Sequence, residues 1–293
     1  MSDIDLSFIT VNYRTPDLVN LLISSIKENP PHYSYEIIAV DNDSGDDSIR
    51  LISQAHPDVR LIANSRNTGF GAGNNLAARE ASGRILVIIN SDCQIDMESF
   101  SNAVAYLDQH ENIGILGLKV IRPDGVTEQT ARGFPDPSTG LFGRSTFLGK
   151  IAQRTKLGKS GIAKKNLLVD PGKKEPYEVD WVAGTAMLIR RECWDKLGGF
   201  DEDYFMYWED ADICYRAKNE GYISVYYPKA SVTHRPGSSA EKSRIPTIRY
   251  FHASAYTYVA KNISPGPSFL RFFAWCALRL RATILIARAR IAG

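Results

Sequence analysis

The sequence lacks any apolar run near the roughly 20 residues that a membrane-spanning helix needs. It also lacks a basic stretch before its first apolar run. Neither a spanning helix nor a secretory leader is therefore expected. Cysteine is scarce: Cys93, Cys193, Cys214 and Cys276 are all there are, with no CxxC spacing. Free thiols in a cytosolic protein are the expectation. The 22 glycines and 14 prolines are too few for a collagen-like chain, and a 44% hydrophobic content is too high for a disordered one. No internal repeat is visible. What remains, in 293 residues, is enough apolar material for one large domain or two unequal ones.

The net charge of +2 hides an asymmetry. Residues 144–174 hold nine Lys or Arg against one acid, Asp170, and residues 261–293 hold six and no acid. The rest of the chain is acidic. Basic segments on an acidic body suggest two places facing an anionic partner, with solvated loops and tails as the alternative. No nucleic-acid-binding motif accompanies the charge, so nucleic acid is not an expected partner.

Residues 4–12, 35–40, 59–63 and 85–90 read as short apolar strands. Between them, helices are predicted after Thr15-Pro16-Asp17, over 47–55 and over 72–81. Strands without polar alternation, separated by helices, predict an α/β fold whose mostly parallel sheet is covered on both faces. Polar clusters at the carboxyl ends of such strands converge on one crevice. Residues 122–178, rich in Gly, Pro, Lys and Ser, break the rhythm and read as an inserted basic loop region. Patterning resumes at 179–190, with a helix over 210–219 and strands at 222–227 and 231–234.

Four clusters carry chemistry. Asp41-Asn42-Asp43 follows the second strand, where a carboxylate can accept from a base imide N–H with Thr10 or Asn12 beside it; the alternative is an Asx turn. The run NTGFGAGNN at 67–75 has Asn74 where a dinucleotide fingerprint needs glycine. It predicts a tight loop with backbone amides facing a ligand, then close helix–sheet packing. Asn90-Ser91-Asp92 ends the strongest strand and suits a divalent metal bridging two phosphates, with helix capping as the rival. GGFDEDYFMYWEDAD at 198–212 holds six acids and no base. Crowding Glu209, Asp210 and Asp212 is unfavourable unless a cation or basic substrate is near, or one carboxylate is poised as a base. A capped helix start would explain one or two of these acids. Tyr204, Phe205, Tyr207 and Trp208 add surface of the kind that stacks on sugars. His234, at a strand end, could be a metal ligand.

In this order, VNY, VDNDSGD, NTGFGAGNN, NSD, DWVAGTAMLIRRECWDKLGGFDEDYFMYWEDADICYRA and VTH resemble the inverting family-2 glycosyltransferases of GT-A fold. The likeness is to their rhamnosyltransferase-like branch, which builds bacterial polysaccharides such as O-antigen, and covers about residues 4–236. It implies Asp41 as the base-recognising acid and Thr10, Asn12 and Arg14 as first-loop nucleotide contacts. Asn67, Asn90 and Ser91 join the nucleotide-sugar set. Asp92 matches the last acid of the family's DxD motif, whose first acid is here Asn90. With His234 it would hold Mg²⁺ or Mn²⁺. Asp210 matches the catalytic base, and Trp208 and Glu209 would hold the acceptor. The implied reaction moves a sugar, L-rhamnose from dTDP-rhamnose being favoured, from a dTDP- or UDP-sugar to a glycan or polyprenyl-diphosphate-linked hydroxyl.

A nucleotidyltransferase is one rival, but Val11-Asn12-Tyr13-Arg14-Thr15 is not the glycine-rich phosphate loop it would want. A non-catalytic carbohydrate-binding protein is the other, and the presence of both Asp92 and Asp210 argues against it. The expected division is a glycosyltransferase domain at 1–236 and a helical, basic, amphipathic extension at 237–293. On a helix over 269–291, Phe273, Cys276, Ala277, Leu280, Ile284, Ala287 and Ile291 form one apolar stripe with the arginines outside it. That stripe suits an anionic membrane surface, or docking on the catalytic domain or on a second subunit in a homodimer. The expected place is the cytoplasm, peripheral at the inner face of the cell membrane.

Overall fold

The computed structural model describes residues 4–135, 169–170, 172–235, 244–266 and 268–291. The larger part of the predicted inserted region (136–168, and 171) and the predicted boundary at 236–237 lie outside the described residues.

Four strands open the fold: β1 (Leu6–Asn12), β2 (Tyr35–Asp41), β3 (Arg60–Ala63) and β4 (Ile85–Ile89). They lie parallel in the order β3-β2-β1-β4. Helices α1 (Pro16–Glu28), α2 (Ser48–Ala55) and α3 (Phe70–Glu80) connect them. The strands lack polar alternation because both faces are covered. Phe8, Ile37 and Val87 pack with Leu22 and Ile26 of α1 and with Phe100 and Val104 of α4 (Met97–Asp108). Their neighbours Ile9, Ile38 and Ile88 pack on the other face. There they meet Ala77 of α3, Trp194 of α5 (Arg191–Leu197) and Ile213 of α6 (Glu209–Asn219).

The rest of the sheet departs from the sequence reading. A short β5 (Cys93–Ile95), the helix α4 and the nine-residue β6 (Ile113–Ile121) are additional elements. Two short pieces, β7 (Ala131–Arg132) and β9 (Trp181–Val182), form their own antiparallel ribbon, while β8 (Tyr177–Val179) pairs with β11 (Ile223–His234). Strand β10 (Ala186–Arg190) inserts antiparallel between β4 and β6, so the sheet is mixed, though mostly parallel. The two predicted strands at 222–227 and 231–234 are one strand, β11 (Ile223–His234), with a register shift between Tyr227 and Ser231. Pro228 lies in that shift, where a missing N–H is tolerated.

Beyond β11, α7 (Arg244–Tyr258) runs into a π-helical turn, Val259–Ile263, and then α8 (Phe269–Ile291). Helix α7 lies on the aromatic loop before α6. Tyr250 stacks on Phe205, Phe251 meets Tyr207 and Trp208, and the Ser254 hydroxyl donates to the Met206 carbonyl at 2.9 Å. Helix α8 packs on α7, with Arg281 Nη1 at 2.9 Å from His252 Nε2. Along α8, Ala274, Leu278, Arg281 and Leu285 are half-buried. The predicted stripe points elsewhere: Phe273, Leu280, Ile284 and Ile291 are exposed. No helix among the described residues is long and apolar enough to cross a membrane. All four cysteines are free, three of them buried.

Candidate active site

The parallel register sets the first half of the site. Asn12 stands opposite Asp41 at the carboxyl ends of β1 and β2. Its Nδ2 donates to Asp41 Oδ1 at 2.6 Å, the Ser44 hydroxyl donates to the same oxygen at 2.6 Å, and Ser44 N–H donates to Oδ2 at 3.1 Å. An ionised carboxylate offers about four lone-pair directions, so three protein donors leave room for one more. Asn12 Oδ1 accepts from the Thr15 amide and hydroxyl, and the Thr15 and Ser91 hydroxyls lie 3.3 Å apart. A polar chain thus crosses the ends of β2, β1 and β4. Arg14 is fixed beside it through Nε to the Ser44 carbonyl at 2.9 Å. Thr10 is buried and its Oγ1 has no partner.

Asn67 belongs to a different network. Its Oδ1 accepts from Gly69 N–H and from Asn42 Nδ2, and so braces the loop before α3. The expectation that this loop aims its amides at a ligand is not met. Gly69 N–H is spent on Asn67, and Phe70 N–H donates to the Phe205 carbonyl at 2.9 Å. The expected close packing is there: a Cβ on Gly73 would lie 3.1 Å from the Val11 methyls. Gly69 has φ +87, and a Cβ there would sit 1.9 Å from the Phe205 carbonyl oxygen. Gly69→Ala therefore combines backbone strain with a backbone clash and should cost about 1–3 kcal/mol. Gly221→Ala, at φ +87 with nothing within 4 Å, carries strain alone. Urea denaturation should show the Gly69 variant as the weaker of the two.

The metal-type cluster forms where β11 meets β5. His234 pairs with Cys93, which puts the imidazole beside Asp92, with His234 Nε2 at 3.3 Å from Asp92 Oδ1. Ligand atoms of Asp92, Cys93 and His234 all lie within 4.8 Å of one another. Burial pushes the Cys93 thiol well up, and a hard divalent ion such as Mg²⁺ or Mn²⁺ favours oxygen and imidazole donors over sulfur, which points to Asp92 and His234 as the donors. Two ligands at about 2.1 Å on adjacent octahedral corners stand about 3 Å apart, so the spacing suits one divalent ion. Burial opposes the charged form of His234, but Asp92 and Glu128 outweigh it and raise its pKa. Asn90, half-buried, anchors the strand end through its backbone: its N–H donates to the Thr185 carbonyl at 3.0 Å.

The loop Ala183-Gly184-Thr185 ties this cluster to the acidic helix start. Gly184 N–H donates to Asp210 Oδ2 at 3.1 Å, and Ala211 N–H to Oδ1 at 2.8 Å. The two carboxylates at this helix start are not equivalent. Burial and the neighbouring Asp210 push Glu209 well above the usual carboxylate range, toward its neutral form. Burial also raises Asp210, but its two amide donors and Arg132 oppose this and keep it the more acidic partner. Carboxyl groups pushed apart in this way can divide donor and base roles. Glu209 Oε2 and Trp208 Nε1 are buried without a hydrogen-bond partner, as atoms waiting for a substrate would be.

The other acids of the 198–212 run are paired within the protein, so a helix start and one poised base do not exhaust the explanation of the six. Asp201 and Asp203 pair with Lys261 at 2.5 and 2.6 Å, and Glu202 accepts from Asn75 at 3.0 Å. Asp212, 1% exposed, pairs with Arg216 at 2.7 Å and accepts from Asn262 and from the Tyr204 hydroxyl. The non-glycine residues in the left-handed region, Arg14, Asp43, Tyr207 and Trp208, all lie on loops of this crevice. Such strain gathers at functional sites. Sequence reasoning missed Thr15, Ser44, Glu128, Arg132 and Gly184. Gly184 had a visible signal, being part of the quoted VAGT run.

A mixed sheet with its polar crevice at the carboxyl ends of β1, β2 and β4 is that of a GT-A glycosyltransferase. The chain belongs to glycosyl transferase family 2, whose sequence model matches residues 7–164. It is 29% identical over 239 residues to the N-acetylglucosaminyl-diphospho-decaprenol L-rhamnosyltransferase of Mycobacterium tuberculosis, covering 78% of this chain and 75% of the relative. It is 26% identical over 265 residues to the rhamnosyltransferase WbbL of Escherichia coli, covering 87% and 92%. Among solved structures it resembles the mannosyltransferase PcManGT of Pyrobaculum calidifontis in complex with GDP-Man and Mn²⁺. That match has a TM-score of 0.57 at 18% identity and covers 100% of this chain and 78% of that one. GalNAc-T7 with UDP, GalNAc and Mn²⁺ matches with TM-score 0.59 at 20% identity, covering 94% and 54%.

Proposed function

We propose that the enzyme is an inverting glycosyltransferase. It would move L-rhamnose from dTDP-rhamnose to a hydroxyl of a sugar on a polyprenyl diphosphate, in the synthesis of a bacterial polysaccharide. The observation that carries the reading is the bridge through residues 183–185, which bonds to the base-type carboxylate of Asp210 on one side and to Asn90 and Cys93, the residues around Asp92, on the other.

In this reading the fourth lone pair of Asp41 accepts the imide N–H of thymine or uracil, and Asn12, Arg14, Thr10 and Ser91 surround the nucleotide. Asp92 and His234 would hold Mg²⁺ or Mn²⁺, which when bound offsets the charge that builds on the departing diphosphate. Glu209 and Trp208 donate to the acceptor sugar through their unpartnered atoms. Asp210 takes the proton of the acceptor hydroxyl, and the oxygen forms a bond to the anomeric carbon. The bond to the diphosphate breaks on the opposite face with its electron pair leaving on phosphate. One displacement inverts the configuration.

The test is a panel of dTDP-rhamnose, UDP-sugars and GDP-mannose with a short-chain polyprenyl-diphosphate-linked N-acetylglucosamine, with Mn²⁺ or EDTA. Release of dTDP that needs both acceptor and metal supports the reading. Donor hydrolysis at the same rate with and without acceptor, or pyrophosphate released from dTTP and a sugar 1-phosphate in a parallel reaction, would contradict it.

Within the same proposal, α8 attaches the enzyme to the anionic inner leaflet. Phe269, Phe272, Phe273, Leu280 and Ile291 are at least 60% exposed, and Arg279, Arg288 and Arg290 are exposed on the same helix. An exposed apolar face among arginines suits an anionic lipid surface. Because Asn262 reaches Asp212 at 2.8 Å, the useful truncation falls after Ser264. That shortened enzyme should stay folded, turn over a soluble acceptor and cease to sediment with phosphatidylglycerol vesicles. Full-length enzyme that ignores such vesicles, and becomes monomeric on truncation, would make α8 a dimer contact.

A further inference from the structure

Glu128 stands in the region that the sequence pattern marks only as an inserted basic loop. Its position is nevertheless fixed by backbone pairing. After β6 the chain turns at Asp124-Gly125, Arg122 N–H donates to the Val126 carbonyl, and Glu128 N–H donates back to the Val120 carbonyl at 2.9 Å. Thr127 bridges Ile121, and Ile121 is the register partner of Thr233 on β11. The antiparallel arm sets Glu128 level with Val120 and so with Val232 of β11, and its side chain reaches His234, two residues further along the same face of that strand. Its Oε1 lies 3.1 Å from His234 Nδ1, while Asp92 Oδ1 lies 3.3 Å from Nε2. The imidazole is therefore held between two carboxylates, one on each ring nitrogen, with its side chain only 14% exposed.

We infer that Glu128 is the positioning residue of the ion site: it accepts the Nδ1 proton of His234 and so turns the Nε2 lone pair toward Asp92. This rests on the reading of Asp92 and His234 as metal ligands. The two nitrogens of an imidazole lie on different edges of the ring and their lone pairs diverge. A carboxylate on Nδ1 therefore acts through the ring instead of joining the ion on Nε2. A neutral imidazole carries one ring proton, and the acceptor beside one nitrogen decides which nitrogen is left as the ligand. Without Glu128 the ring keeps, among the described residues, Asp92 alone as a side-chain partner, and a proton on Nε2 would satisfy Asp92 directly. That state occupies the ligand atom and leaves Asp92 bonded to a proton instead of an ion. A carboxylate behind a ligating histidine also raises the basicity of the nitrogen that binds, and losing such a partner costs about 10–100-fold in affinity.

The experiment titrates Mn²⁺ into full-length enzyme in the presence of dTDP or UDP, with free Mn²⁺ read by electron paramagnetic resonance. Parent, Glu128→Ala, Glu128→Gln, Asp92→Ala and His234→Ala are compared. Glu128→Ala should bind Mn²⁺ about 10–100-fold more weakly. Glu128→Gln, whose amide oxygen still accepts from Nδ1–H, should keep most of the affinity and supplies the test if the Ala variant fails to fold. With Mg²⁺ and dTDP bound, nitrogen-15 spectra of the histidines should show His234 as a neutral ring protonated on Nδ1 in the parent, and a larger share protonated on Nε2 in Glu128→Ala, which a purely structural side chain would not cause. If Asp92→Ala and His234→Ala lose Mn²⁺ while Glu128→Ala binds as the parent does, Glu128 has no positioning role and the metal site stands. A Gln variant as weak as Asp92→Ala would likewise overturn the role. If Asp92→Ala and His234→Ala bind Mn²⁺ as the parent does, the metal reading itself falls, and this inference with it.

Discussion

Asp210→Asn should lower the rate of transfer by about 10²–10⁴-fold while the dissociation constant for the nucleotide-sugar stays within a few-fold of the parent value. The amide has one oxygen for the two N–H donors that the carboxylate serves, Gly184 at 3.1 Å and Ala211 at 2.8 Å; with the oxygen turned to Gly184 the loop is held, and the Ala211 N–H loses its acceptor. What the chemistry loses is the capacity to take a proton. Folding should suffer little. Asp210 has its pKa raised, first by burial. Its charge therefore opposes folding once the pH passes the unfolded value, and fully so above the folded one. The Asn variant lacks that penalty near neutral pH, which offsets the acceptor lost to Ala211 N–H, and should melt close to the parent. The same shift predicts the pH profile: kcat should rise with pH through an apparent pKa above the ordinary Asp value, because the base works only when ionised. This acidic limb should vanish in the Asn variant's residual activity. Near-parent turnover in Asp210→Asn, measured under saturating donor, would remove this residue from the chemistry.

Asp212→Ala, two residues on, should do the reverse. This carboxylate is 1% exposed, and its oxygens are taken by Arg216, Tyr204 and Asn262. Removing it leaves a half-buried guanidinium without its counter-charge and a buried tyrosine hydroxyl without its acceptor. Breaking such a buried pair from one side costs about 3–5 kcal/mol. It also unfastens the π-helical turn that leads into α8. Urea denaturation should therefore show a large loss of stability, with donor affinity retained at low temperature by the molecules that remain folded. A stable Asp212→Ala enzyme with no turnover would mean that the base role had been assigned to the wrong acid.

The contrast between these acids shows where the sequence was readable. Arg216 stands four residues after Asp212, one helical turn away, and that spacing already marks Asp212 as a paired residue. Nothing local marks Asp201 and Asp203, whose partner Lys261 comes some 60 residues later. The strands 4–12, 35–40 and 85–90 were legible because burial on both faces demands unbroken apolar runs. The antiparallel β10 was not, since strand direction depends on how the chain enters the sheet and not on the composition of the strand. Asp41, Asp92, Asp210 and His234 could be named from their motifs. Gly184 and Glu128 could not be placed, because each meets its partner only in the assembled sheet, whereas Ser44 and Thr15 bond to Asp41 and Asn12 only three residues away, a local spacing that the sequence does carry. The basic run at 144–174 lies almost wholly outside the described residues.

The central claim is a single displacement assisted by Asp210, and the anomeric configuration of the product tests it most directly. Nuclear magnetic resonance of the disaccharide released from the lipid-linked product should show the transferred sugar in the configuration opposite to that of the donor, formed together with free nucleoside diphosphate. A product that keeps the donor's configuration would contradict the account.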